Sequence, residues 1–85
     1  MDKITIASAG NTLAPALSVL KEIGYNVSLL PEDTSLLLAQ SQQYRLIAED
    51  PLQLLGLAMI ASHRGALWQP TDVEISELLA LEHRK

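Results

Sequence analysis

Four acidic residues, arranged as two adjacent pairs, are the side chains of this chain best suited to chemistry. The pairs are Glu32 with Asp33 and Glu49 with Asp50. Carboxylate oxygens bind divalent cations, and clustered negative charge attracts a basic protein. Each pair also has a local explanation, because Glu32 and Asp33 suit a turn and Asp50 suits a helix N-cap. Local roles are the favoured interpretation, and a binding patch is the alternative.

Other motifs for catalysis or ligand binding are lacking. The loop at residues 8–12 offers backbone N–H groups to an anion, but it has neither of the glycine patterns that bind nucleotides. His63 and His83 lie in no zinc or hydrolase motif, and the chain has no cysteine. His63 suits the end of a helix, where the dipole favours a cation. We therefore predict a non-enzymatic protein with no cofactor and no metal.

The connector at residues 64–70 contains the only tryptophan of the chain, Trp68. The favoured interpretation is that its ring packs beside the last helix as a staple and closes the core. The alternative is an anchor for a protein partner, together with Arg64, because Trp and Arg are enriched where binding energy concentrates.

Four strands are predicted. Apolar and polar residues alternate over residues 3–8, which predicts a half-buried strand with Ile4 and Ile6 on one face. The turns that separate the other three strands are short, which predicts an antiparallel meander. These three strands are expected at residues 26–30, 35–40 and 44–49.

Three helices are predicted from apolar residues at helical spacing. The first covers residues 12–23, with Thr12 as its N-cap. The second covers residues 52–63 and follows Asp50, with Gln53 placed to reach back as in a capping box. The third opens with a Thr-x-x-Glu capping box. Its apolar positions are Val73, Ile75, Leu78, Leu79 and Leu81.

The order β-α-β-β-β-α-α predicts a single α/β (α+β) domain over residues 1–85. We expect two layers, with three helices packing a four-stranded mixed sheet whose first two strands are joined by a right-handed parallel crossover. Such a sheet brings residues 8–12, 31–34 and 49–50 to one end, where ligands of α/β sheets usually bind. The charged tail at residues 82–85 is expected to fray.

Surplus apolar residues are the main functional signal. The second helix is apolar nearly all round, and residues 36–38 of the third strand are apolar on both faces. Either the last helix or a second chain must then cover the far face of the sheet. Gly56, in the middle of the second helix, costs about 1 kcal/mol relative to alanine, which a close helix approach would justify.

Composition excludes several classes of protein. The 85 residues carry a net charge of −4, and the six basic residues are scattered, so binding to nucleic acid is not expected. No apolar stretch approaches the roughly 20 residues of a membrane span. The absence of cysteine and of an evident signal peptide favours the cytoplasm.

These features predict a small protein-interaction module, of an inhibitor-like, immunity-like or regulatory kind, that self-associates as a homodimer and suits a basic protein partner. The alternative is a small-ligand or divalent-cation binding domain at the acidic end of the sheet. The candidate partner-binding residues are Glu32, Asp33, Glu49, Asp50, Arg64 and Trp68.

Overall fold

The computed structural model describes residues 2–83, which fold into three helices and three strands. Helices α1, α2 and α3 span Leu13–Glu22, Pro51–Arg64 and Asp72–Glu82. Strands β1, β2 and β3 span Asn26–Leu29, Leu37–Gln40 and Arg45–Ala48. The predicted α+β class and the three helices are confirmed, whereas the predicted number of strands is not.

The sheet is an antiparallel meander in the order β1-β2-β3, as the short turns predicted. Leu37 of β2 lies between Leu29 and Ala48, and Gln40 lies at the opposite end of the strand. The turn between β2 and β3 is closed by Ser41, whose hydroxyl oxygen accepts hydrogen bonds from the backbone N–H groups of Gln43 and Tyr44.

The predicted strand at residues 3–8 is wrong. These residues form neither helix nor strand, and the side chains of Ile4 and Ile6 are 91% and 82% exposed. Alternation shows that a segment suits a pleated, half-buried position, but a strand forms only where its backbone pairs with a neighbouring edge. Residues 3–8 pair with neither edge of the sheet. The parallel crossover and the four-stranded mixed sheet are therefore also wrong.

Helix α1 begins after a short 3₁₀ turn at Gly10–Thr12. Thr12 does not act as the predicted cap, because its hydroxyl donates back to the carbonyl oxygen of Ala9 at 2.6 Å instead of accepting from the helix. The helix ends before Gly24, whose φ of 104° lies in the left-handed region that glycine tolerates best.

Helix α2 begins as the sequence predicts. The Asp50 carboxylate accepts a hydrogen bond from the backbone N–H of Gln53 at 2.8 Å, and Pro51 is the first helical residue. The Gln53 side chain does reach back, but it accepts from the N–H of Glu49, one residue before the cap, at 3.0 Å. The Asp50 bond satisfies one of the donors that a helix start otherwise leaves free.

Helices α1 and α2 pack together on one face of the sheet and enclose the core. The buried cluster comprises Leu20, Tyr25, Ala39, Leu54 and Ala58. Side chains alternate between the two faces of β2, so Leu38 lies on the far face of the sheet, away from α1 and α2. It is nonetheless buried, and in the sheet it is flanked by Ser28 of β1 and Ile47 of β3. Within the described residues, no helix covers that face.

Helix α3 begins with the predicted capping box, in which Thr71 and Glu74 exchange side-chain and backbone hydrogen bonds. It makes no extended packing contact with any helix or strand of the described chain. The expectation that three helices pack the sheet is therefore wrong for α3. Of the predicted frayed tail, Glu82 ends α3, His83 follows it, and residues 84–85 lie outside the described residues.

Candidate functional site

The acidic residues lie at the end of the sheet where β1 and β3 finish and β2 begins. The register aligns Leu29, Leu37 and Ala48, so the β1–β2 connection and the start of α2 emerge at the same end, as predicted. Residues 3–8 form no strand, but the loop at residues 8–12 still lies toward this end, since its Thr12 lines a cavity together with Leu52 in the first turn of α2.

The first acidic pair is bonded to its surroundings. Glu32 forms an ion pair with Arg45 at 3.3 Å, and both side chains are largely exposed. Asp33 accepts hydrogen bonds from the hydroxyl and the backbone N–H of Ser35 at 2.6 and 3.1 Å. The hydroxyl bond, and then the backbone bond, hold the pKa of Asp33 below its ordinary value. These contacts are those of a turn.

In the second acidic pair, Asp50 caps α2. Across residues 2–83, no group of three or more His, Asp or Glu side chains is arranged to hold a metal ion. The geometry of this end therefore supplies local roles for Glu32, Asp33 and Asp50, and a binding role for the four carboxylates stays a prediction.

Arg64 ties the end of α2 to the start of α3. Its guanidinium forms an ion pair with Glu74, with one Nη1–Oε1 distance of 3.0 Å, and it also donates to the carbonyl oxygen of Trp68 at 3.4 Å. Because Glu74 belongs to the capping box, one carboxylate fixes both the helix start and the connector. Arg64 and Trp68, predicted together, are in contact.

Trp68 does not close the core. Its side chain is 53% exposed and lies outside the buried cluster, so the expected staple is not observed. The ring instead borders an apolar groove of about 420 Å³ between β3 and the C-terminal half of α2, which we call the β3 groove. Its principal side chains are Tyr44, Leu46, Ile47, Leu57, Ile60 and Trp68.

The β3 groove is not evident from the sequence because its residues come from three separate segments of the chain. Leu57 and Ile60 contributed to the apolar excess of the second helix, while Ile47 was assigned only to a strand. The available signal was the all-round apolar character of that helix, which indicated a face beyond the one buried in the core.

A more polar cavity, of about 720 Å³, lies at the opposite end of the sheet from the acidic residues. Tyr25 and Tyr44 line it together with the glutamines of the β2–β3 turn and Ser62. The predicted small-ligand site was placed at the acidic end, so it does not coincide with this cavity.

Helix α3 presents a further apolar surface. Every one of its large apolar side chains is exposed, including Leu78 at 55%. The sequence left open whether these side chains or a second chain would cover the far face of the sheet, because helical spacing does not show what an apolar surface packs against.

Comparison with known proteins gives no relative: the chain matches no family model, no curated protein and no solved structure. None of the helices within residues 2–83 has both the length and the apolar character needed to cross a membrane.

Proposed function

We propose that this chain is a non-enzymatic protein-interaction module that self-associates as a homodimer and presents α3 to a protein partner. The observation that carries this proposal is the apolar surface left uncovered on α3 and in the β3 groove. Large exposed apolar surfaces are characteristic of protein interfaces.

The total surface area supports the same proposal. The chain exposes 6978 Å², whereas a folded monomer of its mass typically exposes about 5,000 Å². The excess is more than the roughly 800 Å² that each partner contributes to a standard interface. A second chain would therefore bury what one copy cannot.

The charge of α3 suits a basic partner. Asp72, Glu74, Glu77 and Glu82 carry its charges, and the described helix contains no lysine or arginine. Acidic side chains around apolar ones favour a groove with an apolar floor and a basic rim, since complementary charge orients the complex and accelerates association.

Self-association is tested by light scattering on the wild-type chain at micromolar concentrations. The expected molar mass is about twice the 9.3 kDa of one chain. A mass of one chain at every concentration would remove the homodimer from the proposal.

The role of α3 is tested by comparing two variants in an affinity capture from the native cell. Leu78→Gln removes an exposed apolar side chain and should reduce capture of the partner, while circular dichroism shows an intact fold. Ser76→Gln, a substitution at a polar position of the same helix, is the matched control and should leave capture unchanged. Equal capture by both variants would exclude Leu78 from the partner-binding surface.

A further inference from the structure

We infer that residues 3–8 of one copy add as a fourth strand to the free edge of β3 in a second copy. The inference rests on the proposed self-association and specifies its mechanism. Reciprocal exchange makes each chain both donor and acceptor, which produces a closed dimer with two-fold symmetry.

The donor segment has the composition of a strand but pairs with no strand of the described chain, and its residues 5–7 only border a cavity beside α1 and the start of α2. Ile4 and Ile6 alternate with Lys3, Thr5 and Ala7, which suits a strand with one apolar and one more polar face. Both isoleucine side chains are almost fully exposed. Burying them on another surface would recover the hydrophobic free energy that the isolated chain leaves unused.

The acceptor edge is unpaired. Strand β3 bonds only to β2, so the backbone groups on its other side are free of sheet partners within the described chain. Such an edge is a template for an additional strand, and strand addition is a recurrent mode of protein recognition. Four residues of β3 match the central four of residues 3–8 in length.

The β3 groove gives this edge an apolar floor. Leu46 of β3 faces α2, and Leu57 and Ile60 extend the apolar surface beyond the strand. A fourth strand beside β3 would turn Ile4 and Ile6 toward these side chains, while Lys3 and Thr5 would face solvent. At the β3 groove, the apolar packing between the sheet and α2 is therefore incomplete.

The connectivity favours donation by a second copy. Helix α1, which follows residues 3–8 closely, packs on β1, whereas α2 packs on β3. A fourth strand beside β3 would lie three strand spacings from β1, about 14 Å away. Residues 9–12 include the 3₁₀ turn at Gly10–Thr12, which rises about 2 Å per residue, so this connection reaches only about 10 Å.

The decisive experiment compares two doubly substituted chains by light scattering. Ile4→Asp with Ile6→Asp places charge on the apolar face of the segment, whereas Thr5→Asp with Ala7→Asp places the same charge on its opposite face. All four side chains are exposed, so both variants should fold. The first should have the mass of one chain and the second that of a dimer.

Trp68 emission shows where the segment binds. Because Trp68 is the only tryptophan and borders the β3 groove, its emission should shift to shorter wavelength as the wild type dimerises. The Ile4→Asp, Ile6→Asp variant should show no shift. An unchanged wild-type spectrum through dimerisation would overturn the assignment to this groove.

The outcomes separate the two proposals. A wild-type dimer that survives Ile4→Asp with Ile6→Asp overturns the strand exchange but leaves self-association intact, whereas a monomeric wild type overturns both. If that variant fails to fold, a synthetic peptide of residues 2–9 in excess over wild type provides the test. It should convert the dimer to single chains with bound peptide, and a dimer that persists overturns the exchange.

Discussion

Ser35 stabilises the charged form of the Asp33 carboxylate in the turn between β1 and β2. It does so through its hydroxyl and its backbone N–H, and the pKa of Asp33 is lowered as a result. A carboxyl whose pKa is lower in the folded than in the unfolded chain stabilises the fold fully above its unfolded pKa. That contribution is lost as the pH falls through the folded pKa.

Replacing Ser35 by alanine should therefore raise the pKa of Asp33 toward its ordinary value, because the hydroxyl bond is the larger cause of the shift. Titration of the Asp33 carboxyl followed by NMR measures this directly. Ser62→Ala, in α2, removes a hydroxyl that bonds elsewhere and should leave the titration unchanged. An unaltered Asp33 pKa in Ser35→Ala would contradict the assigned cause.

The cap on α2 makes a second residue-scale prediction. Asp50→Ala should lower the free energy of unfolding by about 1 kcal/mol, because it removes the acceptor for the Gln53 N–H. Glu49→Ala is the control, since it removes the same charge but leaves the cap, and its effect should be smaller in denaturant melts. Equal losses would point to charge rather than capping.

At this scale the sequence predicted the caps of α2 and α3 but not the start of α1, where the Thr12 hydroxyl donates to Ala9 instead of capping the helix. Asp50 and the Thr71–Glu74 box were predicted because a capping side chain and the backbone N–H that donates to it lie within four residues. Arg64 with Glu74 was not predicted, since that contact depends on how the connector folds between two helices.

Helices and strands were predicted correctly where their pattern of apolar residues agreed with the contacts that they make in the fold. The meander and α2 have both the expected pattern and short-range connections. Residues 3–8 have the pattern of a strand without an edge to pair with, and α3 has apolar side chains distributed around the helix without a surface to cover them. Tertiary pairing, which the sequence does not encode locally, decided both cases.

Gly56 tests whether α2 is approached by another helix. The close approach expected there is not observed, since an added methyl group would meet nothing within 4 Å. Gly56→Ala should therefore raise the free energy of unfolding by about 1 kcal/mol through helix propensity. The control is Gly24→Ala, where φ is 104°, which should destabilise the fold. A destabilised Gly56→Ala chain would indicate that a partner packs against this turn of α2.

Trp68 and Leu54 separate the connector from the core. Leu54 is fully buried, and Leu54→Ala should lower the free energy of unfolding by about 2–5 kcal/mol. Trp68 is half exposed, so Trp68→Ala should cost less than the roughly 3 kcal/mol typical of a buried aromatic ring. Denaturant melts of the two variants measure this difference. A larger loss for Trp68→Ala than for Leu54→Ala would restore the core-staple interpretation.

The whole molecule is more open than its length requires. Its radius of gyration is 15.1 Å, whereas a compact domain of 85 residues has about 12 Å. The uncovered α3 and the unpaired residues 3–8 are consistent with this difference. The sequence placed the apolar surplus on the second helix and the third strand, whereas the most exposed apolar side chains lie in residues 3–8, in the connector and on α3.

The position of α3 can be tested on the whole chain by small-angle X-ray scattering. Measured on the Ile4→Asp, Ile6→Asp variant to avoid dimers, the radius of gyration should stay well above the roughly 12 Å of a compact domain. Shortening that variant to residues 1–69 removes α3 and should bring the value toward the compact one. The shortened chain should keep its thermal transition, because α3 packs against no other helix or strand of the described chain. A compact value for the full-length variant would mean that α3 folds onto the far face of the sheet, where Leu38 lies, and that α3 is therefore not free to bind a partner.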